Sequence, residues 1–364
     1  MDDQVRAHAR TLVDWSARVE EGDHVVVRVG EGAHDLAVAV AAELGDRGAT
    51  VTTTYESDEV DRAYQRAHEE GFDEPAPKRA LYEAADTVLR LGGTHNTTTM
   101  ADVPAETRQA YRTATQRVRE ARYDTDWVST VHPTRAYAQQ AGMSYEAYRE
   151  FVYDAVLCDW EELAEEMARL KEIFDEGSEV HLRTDGTDLT MRIDDRTAVN
   201  SAASVVYDSH NLPSGEVFTA PYAAEGEVTF DVPMTIRGRR IRDAWLQFED
   251  GEVVNWDALS GANVLGEVIE TDEGARRLGE LGVGMNRGID RPTDSILFDE
   301  KMAGTVHLAV GRAYDACLPE GETGNESAVH QDLITDLRDG GTLAVDDEVI
   351  QRDGLFRWED GFEK

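Results

Sequence analysis

A histidine and an aspartate stand two residues apart near the end of the chain, in the segment "ESAVHQDLI" (326–334). On a strand, residues two apart point to the same face. His330 and Asp332 would therefore direct an imidazole nitrogen and a carboxylate oxygen at one point, and both atoms are common ligands of divalent cations. The spacing fits part of a metal site, and it also fits two buried, hydrogen-bonded polar residues.

Three earlier segments set further ligand types beside glycines or strand-like apolar residues: "NLPSGEVFTAP" (211–221), "LGELGVGMNRGI" (278–289) and "ILFDEKMAGTVHLAVGRAY" (296–314). In the third, His307 lies within the alternating run "TVHLAV", which is typical of a half-buried strand. In the first, Glu216 follows a Pro-Ser-Gly turn and is predicted to begin a strand beside a loop. Because 74 of the 364 residues are acidic, carboxylates near a histidine are weak evidence by themselves.

In their residues and in their order along the chain, the four segments resemble the motifs of the aminopeptidase T, aminopeptidase S and PepS family of dinuclear metallo-aminopeptidases. The resemblance is strong over roughly residues 205–340 and looser over the N-terminal half, where only the α/β pattern and the length agree. It implies that Tyr314 is the active-site tyrosine. It also implies a set of metal ligands, which are Glu216, Glu280, Glu300, His307, His330 and Asp332.

This residue set is chemically consistent with two divalent cations. Four carboxylates balance the charge of two cations, and two neutral imidazoles complete the coordination, as expected for zinc or cobalt, with magnesium or manganese as alternatives. Glu280 is a plausible bridge between the ions, which would activate a water for attack on a peptide carbonyl. Tyr314 would donate a hydrogen bond to the developing oxyanion, and either Glu216 or Glu280 would carry a proton to the leaving amine.

The function predicted from the resemblance is that of a metal-dependent aminopeptidase, a hydrolase that releases N-terminal amino acids from short peptides. The family also implies a homodimer with a secluded active site. One alternative is another dinuclear hydrolase such as a phosphoesterase, but the four segments supply few basic residues for phosphate. The other is a non-catalytic metal-binding module, although structural zinc sites are usually rich in cysteine, and Cys158 and Cys317 lie far apart.

Three basic residues near these segments have more than one interpretation. Lys301 is one of only four lysines in the chain, and it fits either a charge partner for substrate or a surface lysine. Arg287 and Arg291 lie close to the Glu280 motif, and we expect them to form ordinary salt bridges.

The first half of the chain alternates strand and helix patterns. Alternation of this kind predicts a parallel, doubly wound sheet. The predicted strands cover 24–30, 50–55, 86–93 and 126–133, and the predicted helices cover 35–49, 60–70, 78–85 and 105–122. The glycine spacing in "GEGAHD" is a poor match to a dinucleotide-binding loop.

The pattern changes after a predicted amphipathic helix at 160–174. Asp-Gly turns within "EVHLRTDGTDLTMRI" (179–193) and "AWLQFEDGEVVNW" (244–256) predict two β-hairpins. We therefore predict an α/β N-terminal domain at 1–177 with a mostly parallel sheet, and a mixed α+β catalytic domain at 178–364 that binds the metals.

The composition restricts the partners. The net charge is −38, yet 41% of the residues are hydrophobic and clearly patterned, which indicates a folded protein with a carboxylate-covered surface. Such surfaces are typical of organisms that live in molar salt, where the Debye length falls to about 3 Å. The charge argues against nucleic acid or anionic membrane as a partner. The start of the chain has no apolar signal core, and no apolar run approaches the length of a membrane span, so we predict a cytoplasmic protein.

Overall fold

The computed structural model describes residues 2–68 and 71–363. Its α-helices, in chain order, are α1 (Asp3–Arg10), α2 (His34–Arg47), α3 (Asp58–Ala67), α4 (Ala76–Glu83), α5 (Ala105–Ala114), α6 (Gln116–Tyr123), α7 (Arg135–Gln140), α8 (Tyr145–Val156), α9 (Trp160–Glu176), α10 (Ala262–Ile269) and α11 (Ile296–Asp299). A π-helical turn at Thr11–Ser16 follows α1, and 3-10 turns lie at Val205–Tyr207, Gly274–Arg276 and Asp315–Cys317.

The strands alternate with these helices in the first half of the chain and dominate the second half. They are β1 (His24–Gly30), β2 (Thr50–Glu56), β3 (Thr87–Gly92), β4 (Asp126–Val131), β5 (Glu179–Thr184), β6 (Thr187–Arg192), β7 (Val199–Ser201), β8 (Asn211–Leu212), β9 (Glu216–Thr219), β10 (Tyr222–Phe230), β11 (Met234–Ile236), β12 (Arg239–Glu249), β13 (Glu252–Ser260), β14 (Leu278–Gly284), β15 (Thr305–Gly311), β16 (His330–Asp336), β17 (Thr342–Val345), β18 (Glu348–Arg352) and β19 (Leu355–Phe356).

The chain forms two compact units. Unit 1 comprises Met1–Cys158 and Ala203–Pro213, and unit 2 comprises Asp159–Ala202 and Ser214–Lys364. The division into domains at residue 177 stays a prediction.

Unit 1 contains a parallel sheet with the strand order β2-β1-β3-β4-β8. The predicted α/β class with a parallel sheet is confirmed. From β1 the chain moves outward to β2 and then returns to place β3 on the other side of β1. The strand order therefore reverses between β1 and β3, which is where open α/β sheets usually bind ligands.

One predicted helix of unit 1 is interrupted in the structure. The prediction of a single helix at 105–122 is wrong at Thr115, which separates α5 from α6. The Thr115 hydroxyl donates to the carbonyl of Tyr111 at 2.8 Å. A hydroxyl that bonds to the preceding turn competes with the helical backbone, which accounts for the break.

Unit 2 contains two antiparallel sheets. The larger has the order β11-β12-β10-β6-β5-β17-β18-β19, with β13 paired to β12. It includes both predicted hairpins, since Thr184 pairs with Thr187 and Glu249 pairs with Glu252 around their Asp-Gly turns. The smaller sheet has the order β16-β15-β14-β9-β7, and every residue of β14 and β15 is buried. The predicted mixture of helices and antiparallel strands is confirmed.

Helix α9 packs against one end of the small sheet. The Asp159 side chain accepts from the Glu162 amide and begins the helix, as expected for an N-cap. The buried stripe includes Leu163, Met167 and Leu170, and the Ala164 carbonyl accepts from the Asn200 side chain at 3.0 Å. This contact ties α9 to β7. Among the helices that the structure describes, none is both long and apolar enough to cross a bilayer.

Candidate metal centre

The register of the small sheet places the predicted ligands on one face. Gly284 of β14 pairs with Glu216 of β9, and Gly282 of β14 pairs with His307 of β15. Ala309 of β15 pairs with Glu280 on one side and Asp332 on the other. Directly opposed residues share a face, as do residues two apart on a strand. The face therefore contains a set of five candidate ligands, which are Glu216, Glu280, His307, His330 and Asp332.

Two glycines on this face make room for neighbouring atoms, in one case for a candidate ligand and in the other for the backbone. A Cβ atom at Gly282 would overlap the His307 imidazole, and one at Gly284 would overlap the carbonyl oxygen of Met302. The imidazole therefore lies across the backbone of β14 and reaches the Glu280 carboxylate. Sequence reasoning assigned these glycines no role, although their spacing of two and four residues after Glu280 was a usable signal.

Glu280 lies at the centre of the site. Its Oε1 is 3.2 Å from His307 Nε2, and its Oε2 is 3.1 Å from His330 Nε2. One potential cation site comprises Glu216, Glu280 and His307, and a second comprises Glu280, His330 and Asp332, with the ligand atoms of each group within 4.8 Å of one another. The two groups therefore overlap at Glu280, whose two oxygens each lie near a different histidine.

The contacts around these side chains favour cation binding. His330 Nδ1 donates to the Arg312 carbonyl at 2.8 Å, which leaves Nε2 as the nitrogen that faces Glu280 and Asp332. The Glu216 Oε2 atom is buried and finds no hydrogen-bond donor within the described part of the chain. It lies 3.5 Å from His307 Nε2. A buried carboxylate oxygen without a donor is costly, and a cation shared with His307 would satisfy it.

The pKa shifts show how strongly the acids and imidazoles interact. Burial raises the pKa of Glu280, but hydrogen bonds from His307 and His330 reverse this effect and bring it to about 2. Burial also disfavours the charged imidazoles, yet the carboxylates raise the pKa of His307 to about 9 and that of His330 to about 11. Metal ligands must be deprotonated, so cations that bind here displace protons from the imidazoles.

Glu300 lies beside the site but outside both potential ligand groups. Its carboxylate contacts the ammonium of Lys301, whose Nζ is also 3.3 Å from Glu216 Oε1. Burial raises the pKa of Glu300 to about 8. Lys301 is completely buried, so the interpretation as a surface lysine is wrong. Burial disfavours its charge, but the carboxylates of Glu216 and Glu300 outweigh that effect and raise the pKa of Lys301 above its usual value.

Tyr314 lies on the more open side of the site. Its ring centroid is 4.8 Å from that of His330 and 5.6 Å from that of Phe218, and 46% of the residue is exposed. Partial burial, followed by the charge of Glu280 and the neighbouring carboxylates, raises the pKa of Tyr314 above its usual range. The phenol therefore keeps its proton at neutral pH and is able to donate a hydrogen bond beside His330.

The two arginines near the Glu280 motif form salt bridges, as predicted. Arg287 Nε donates to Glu359 Oε1 at 3.0 Å, and the Arg291 guanidinium pairs with Asp290 at 2.7 Å.

A buried antiparallel sheet that presents carboxylates and imidazoles in two overlapping groups defines a site of the metallohydrolase class. The chain belongs to the thermophilic metalloprotease (M29) family, whose sequence profile matches residues 1–356. The predicted family is thereby confirmed.

Relatives within this family cover most of the chain. Aminopeptidase T of Thermus thermophilus is 29% identical over 412 aligned positions, which cover 99% of this chain and 97% of that protein. Aminopeptidase AmpS of Bacillus subtilis is 25% identical, with 92% and 93% covered. Aminopeptidase T of Thermus aquaticus is 34% identical over a shorter match, which covers 50% of this chain and 46% of that protein.

The fold has a close structural counterpart. The structure of wild-type AmpT from Thermus thermophilus superposes with a TM-score of 0.84 at 26% sequence identity. The match covers 97% of this chain and 99% of that chain.

Proposed function

We propose that this chain, a metal-dependent aminopeptidase by its family and its relatives, releases N-terminal amino acids from short peptides at a centre of two divalent cations. The observation that carries the proposal is the position of Glu280, which belongs to both potential cation sites and meets a different histidine with each oxygen. A site for a single cation would not need a carboxylate shared in this way.

The proposed ligands are Glu216, Glu280 and His307 for one cation, and Glu280, His330 and Asp332 for the other. Glu300 is proposed as a further carboxylate ligand, which would have to leave Lys301 to reach a cation. When bound, cations of this kind polarise a carbonyl and lower the pKa of water.

The other proposed steps belong to side chains of this protein. Tyr314 donates a hydrogen bond to the oxygen that gains charge during attack on the peptide carbonyl. A carboxylate at the centre, Glu216 or Glu280, accepts a proton and passes it to the leaving amine. Burial raises the pKa of Glu216, and the Lys301 ammonium opposes this effect and orients the carboxyl group, since it lies 3.3 Å from Glu216 Oε1 in a buried position.

Several finer features belong to the same proposal. Imidazole and carboxylate ligands together favour zinc or cobalt, with magnesium or manganese as alternatives. The net charge of −38 supports a cytoplasmic enzyme adapted to molar salt. We also propose a homodimer, as the family resemblance implies.

The direct test measures hydrolysis of leucine-p-nitroanilide in molar KCl, before and after treatment with chelator. We expect chelation to abolish hydrolysis and added zinc or cobalt to restore it. Hydrolysis of p-nitrophenyl phosphate in the same buffer tests the phosphoesterase alternative. Activity that survives complete removal of metal would overturn the proposal.

The number of cations is tested by metal analysis of the purified protein. Two ions per chain are expected in the wild type, and Glu280→Gln should lower the content of both, since both proposed sites use this carboxylate. Glu267→Gln is the matched control, because that carboxylate is half exposed and pairs with Arg237 on the surface. A single ion per chain that is retained in Glu280→Gln would contradict the shared-carboxylate arrangement.

A further inference from the structure

Unit 1 contains a cavity at the carboxyl ends of its parallel strands. The cavity has a volume of about 310 Å³, and its lining includes Gly30, Glu56 and Gly92, the last residues of β1, β2 and β3. It therefore lies where the strand order of the sheet reverses, between β1 and β3. Open α/β sheets bind their ligands at this position. All of its lining residues belong to unit 1, and none of them is a candidate ligand of the metal centre.

The cavity is unusually rich in basic residues for this chain. Acidic residues outnumber basic residues by 74 to 36 overall, yet the lining contains five basic side chains and four acidic ones. The basic residues are Arg28, Lys78, Arg90, Arg119 and Arg122, and the acidic residues are Glu31, Glu56, Asp58 and Asp61. A surface adapted to salt by excess carboxylates does not explain this local balance.

Part of this charge is satisfied within the wall. Arg28 Nε donates to Glu56 Oε1 at 2.8 Å, and Lys78 lies 3.5 Å from the same oxygen. Ser57 donates to Glu31 at 2.6 Å. These pairs fix the part of the lining formed by the ends of β1 and β2.

Five charged side chains of the lining lack an ion-pair partner among residues 2–68 and 71–363, and one of them, Glu31, accepts the Ser57 hydroxyl. The other four lie in pairs on two helices. Arg119 and Arg122 are three residues apart on α6, and Asp58 and Asp61 are three residues apart on α3. Residues three apart lie on the same side of a helix. One helix thus supplies two unpaired cations to the cavity, and another supplies two unpaired carboxylates.

Buried polar atoms in the lining also lack partners within the described chain. Tyr82 is only 2% exposed, yet its hydroxyl has no hydrogen-bond partner, and the same holds for the buried Nε of Arg122. The Arg122 guanidinium is held over the rings of Tyr123 and Trp127, at 4.5 and 4.7 Å from their centroids. Native proteins rarely leave such donors unsatisfied, so these atoms indicate a ligand that accepts hydrogen bonds.

We propose that this cavity binds a small zwitterion with an apolar body, which is the chemistry of a free α-amino acid. Its carboxylate is bound by Arg119, Arg122 and the Tyr82 hydroxyl, since guanidinium groups match carboxylates in geometry and charge. Its ammonium is bound by Asp58 and Asp61. Tyr111, Tyr137 and Val118 line the remaining space and pack against the apolar part. The proposal shares no residue with the candidate metal centre and does not rest on the proposed peptidase function.

The test is calorimetric titration of L-leucine into the metal-loaded protein in molar KCl. L-leucinol, which lacks the carboxylate and has no amide bond to hydrolyse, and N-acetyl-leucine, which lacks the ammonium, are titrated in parallel. We expect saturable binding of L-leucine and at least tenfold weaker binding of either analogue. Absence of L-leucine binding, or equal binding of an analogue, overturns the proposal.

Variants assign the measured binding to this cavity. Arg119→Gln and Tyr82→Phe should each weaken L-leucine binding by about tenfold. Arg117→Gln is the matched control on α6, because Arg117 is 76% exposed and does not line the cavity. Tyr82→Phe removes one oxygen and keeps the packing, so it remains informative if Arg119→Gln fails to fold. Unchanged affinity in Tyr82→Phe would place any binding elsewhere and overturn the assignment.

Discussion

Gly282 lies directly opposite His307 where β14 pairs with β15, and the His307 imidazole occupies the space that a side chain at Gly282 would fill. This relationship brings the imidazole to Glu280, two residues earlier on β14, with 3.2 Å between His307 Nε2 and Glu280 Oε1. Since both strands are buried along their whole length, neither backbone can easily move to admit another atom. The position of the proposed ligand His307 therefore depends on the glycine that faces it.

The first prediction concerns Gly282→Ala. The new methyl group must displace the imidazole, so we expect at least a hundredfold loss of peptidase activity and a loss of bound metal. A displacement of about 1 Å in a catalytic group can cost two orders of magnitude in rate. Activity against leucine-p-nitroanilide and metal content per chain measure both effects.

Gly45→Ala is the control for this substitution. Gly45 lies in α2, and a Cβ atom there meets no other atom within 4 Å. Alanine is more favourable than glycine in a helix by about 1 kcal/mol, so this variant should keep full activity. If Gly282→Ala also kept full activity, His307 would not be held in the way described.

The second prediction concerns the Tyr314 hydroxyl. Tyr314→Phe keeps the ring contact with His330, so metal content and the KM for substrate should persist. We expect kcat to fall by about two to three orders of magnitude, as is typical when one donor to an oxyanion is removed.

Tyr55→Phe is the matched control, because Tyr55 is 69% exposed in unit 1. Steady-state kinetics of both variants separate kcat from KM. A Tyr314→Phe enzyme with the wild-type kcat would limit Tyr314 to packing against His330 and Phe218.

The third prediction concerns the buried ammonium of Lys301. Lys301→Met removes the positive charge that faces Glu216 and Glu300 and leaves both buried carboxyl groups without their cationic partner. Removal of one partner from a buried ion pair typically costs about 3–5 kcal/mol. We expect a loss of this size in the free energy of urea unfolding, measured in molar KCl with chelator present.

Lys171→Met is the corresponding surface substitution. Lys171 pairs with Asp175 at 2.5 Å within α9, and about a third of each side chain is exposed. Exposed pairs of this kind contribute about 0–1 kcal/mol. Equal effects of the two lysine substitutions would show that Lys301 does not stabilise the carboxylates of the site.

Sequence patterns predicted those strands and turns whose conformation is determined mainly by their own residues. Strand β1 has the bounds that its valine-rich run predicts, and the Asp-Gly turns form both predicted hairpins. The segment 211–221 is divided between two sheets, since Asn211–Leu212 pairs with β4 in the parallel sheet while Glu216–Thr219 pairs with β14. This division depends on pairing with strands that are distant in the sequence. Local periodicity carries no information about that pairing.

The candidate site, too, could be predicted only in part from local sequence patterns. The residue types of the motifs predicted which side chains gather, because alternate positions on a strand share a face. They did not predict that Lys301 is buried between Glu216 and Glu300, or that Gly282 makes room for His307. Both facts arise from the pairing of β9, β14 and β15, whose register involves residues more than 20 positions apart.

The last prediction concerns acid stability and His8. This side chain is fully buried in α1, and its Nε2 lies 2.7 Å from the Thr130 hydroxyl. Burial, followed by the charge of His132, lowers the pKa of His8 from 6.5 to about 3. The unfolded chain therefore takes up a proton as the pH falls below 6.5, whereas the folded protein does so only near pH 3. His8 favours the folded state fully above pH 6.5 and loses that contribution as the pH falls towards 3.

The measurement compares the free energy of urea unfolding at pH 7 and pH 5 in molar KCl, for the wild type and His8→Leu. Other titrating groups affect both proteins alike, so the difference between their pH dependences isolates His8. A proton bound only by the unfolded chain contributes up to about 1.4 kcal/mol per pH unit. The wild type should consequently lose about 2 kcal/mol more than His8→Leu over this interval.

His34→Leu, a substitution at an exposed histidine of α2, should retain the wild-type dependence of the unfolding free energy on pH. Equal pH dependences in the wild type and His8→Leu would mean that His8 takes up its proton in the folded protein.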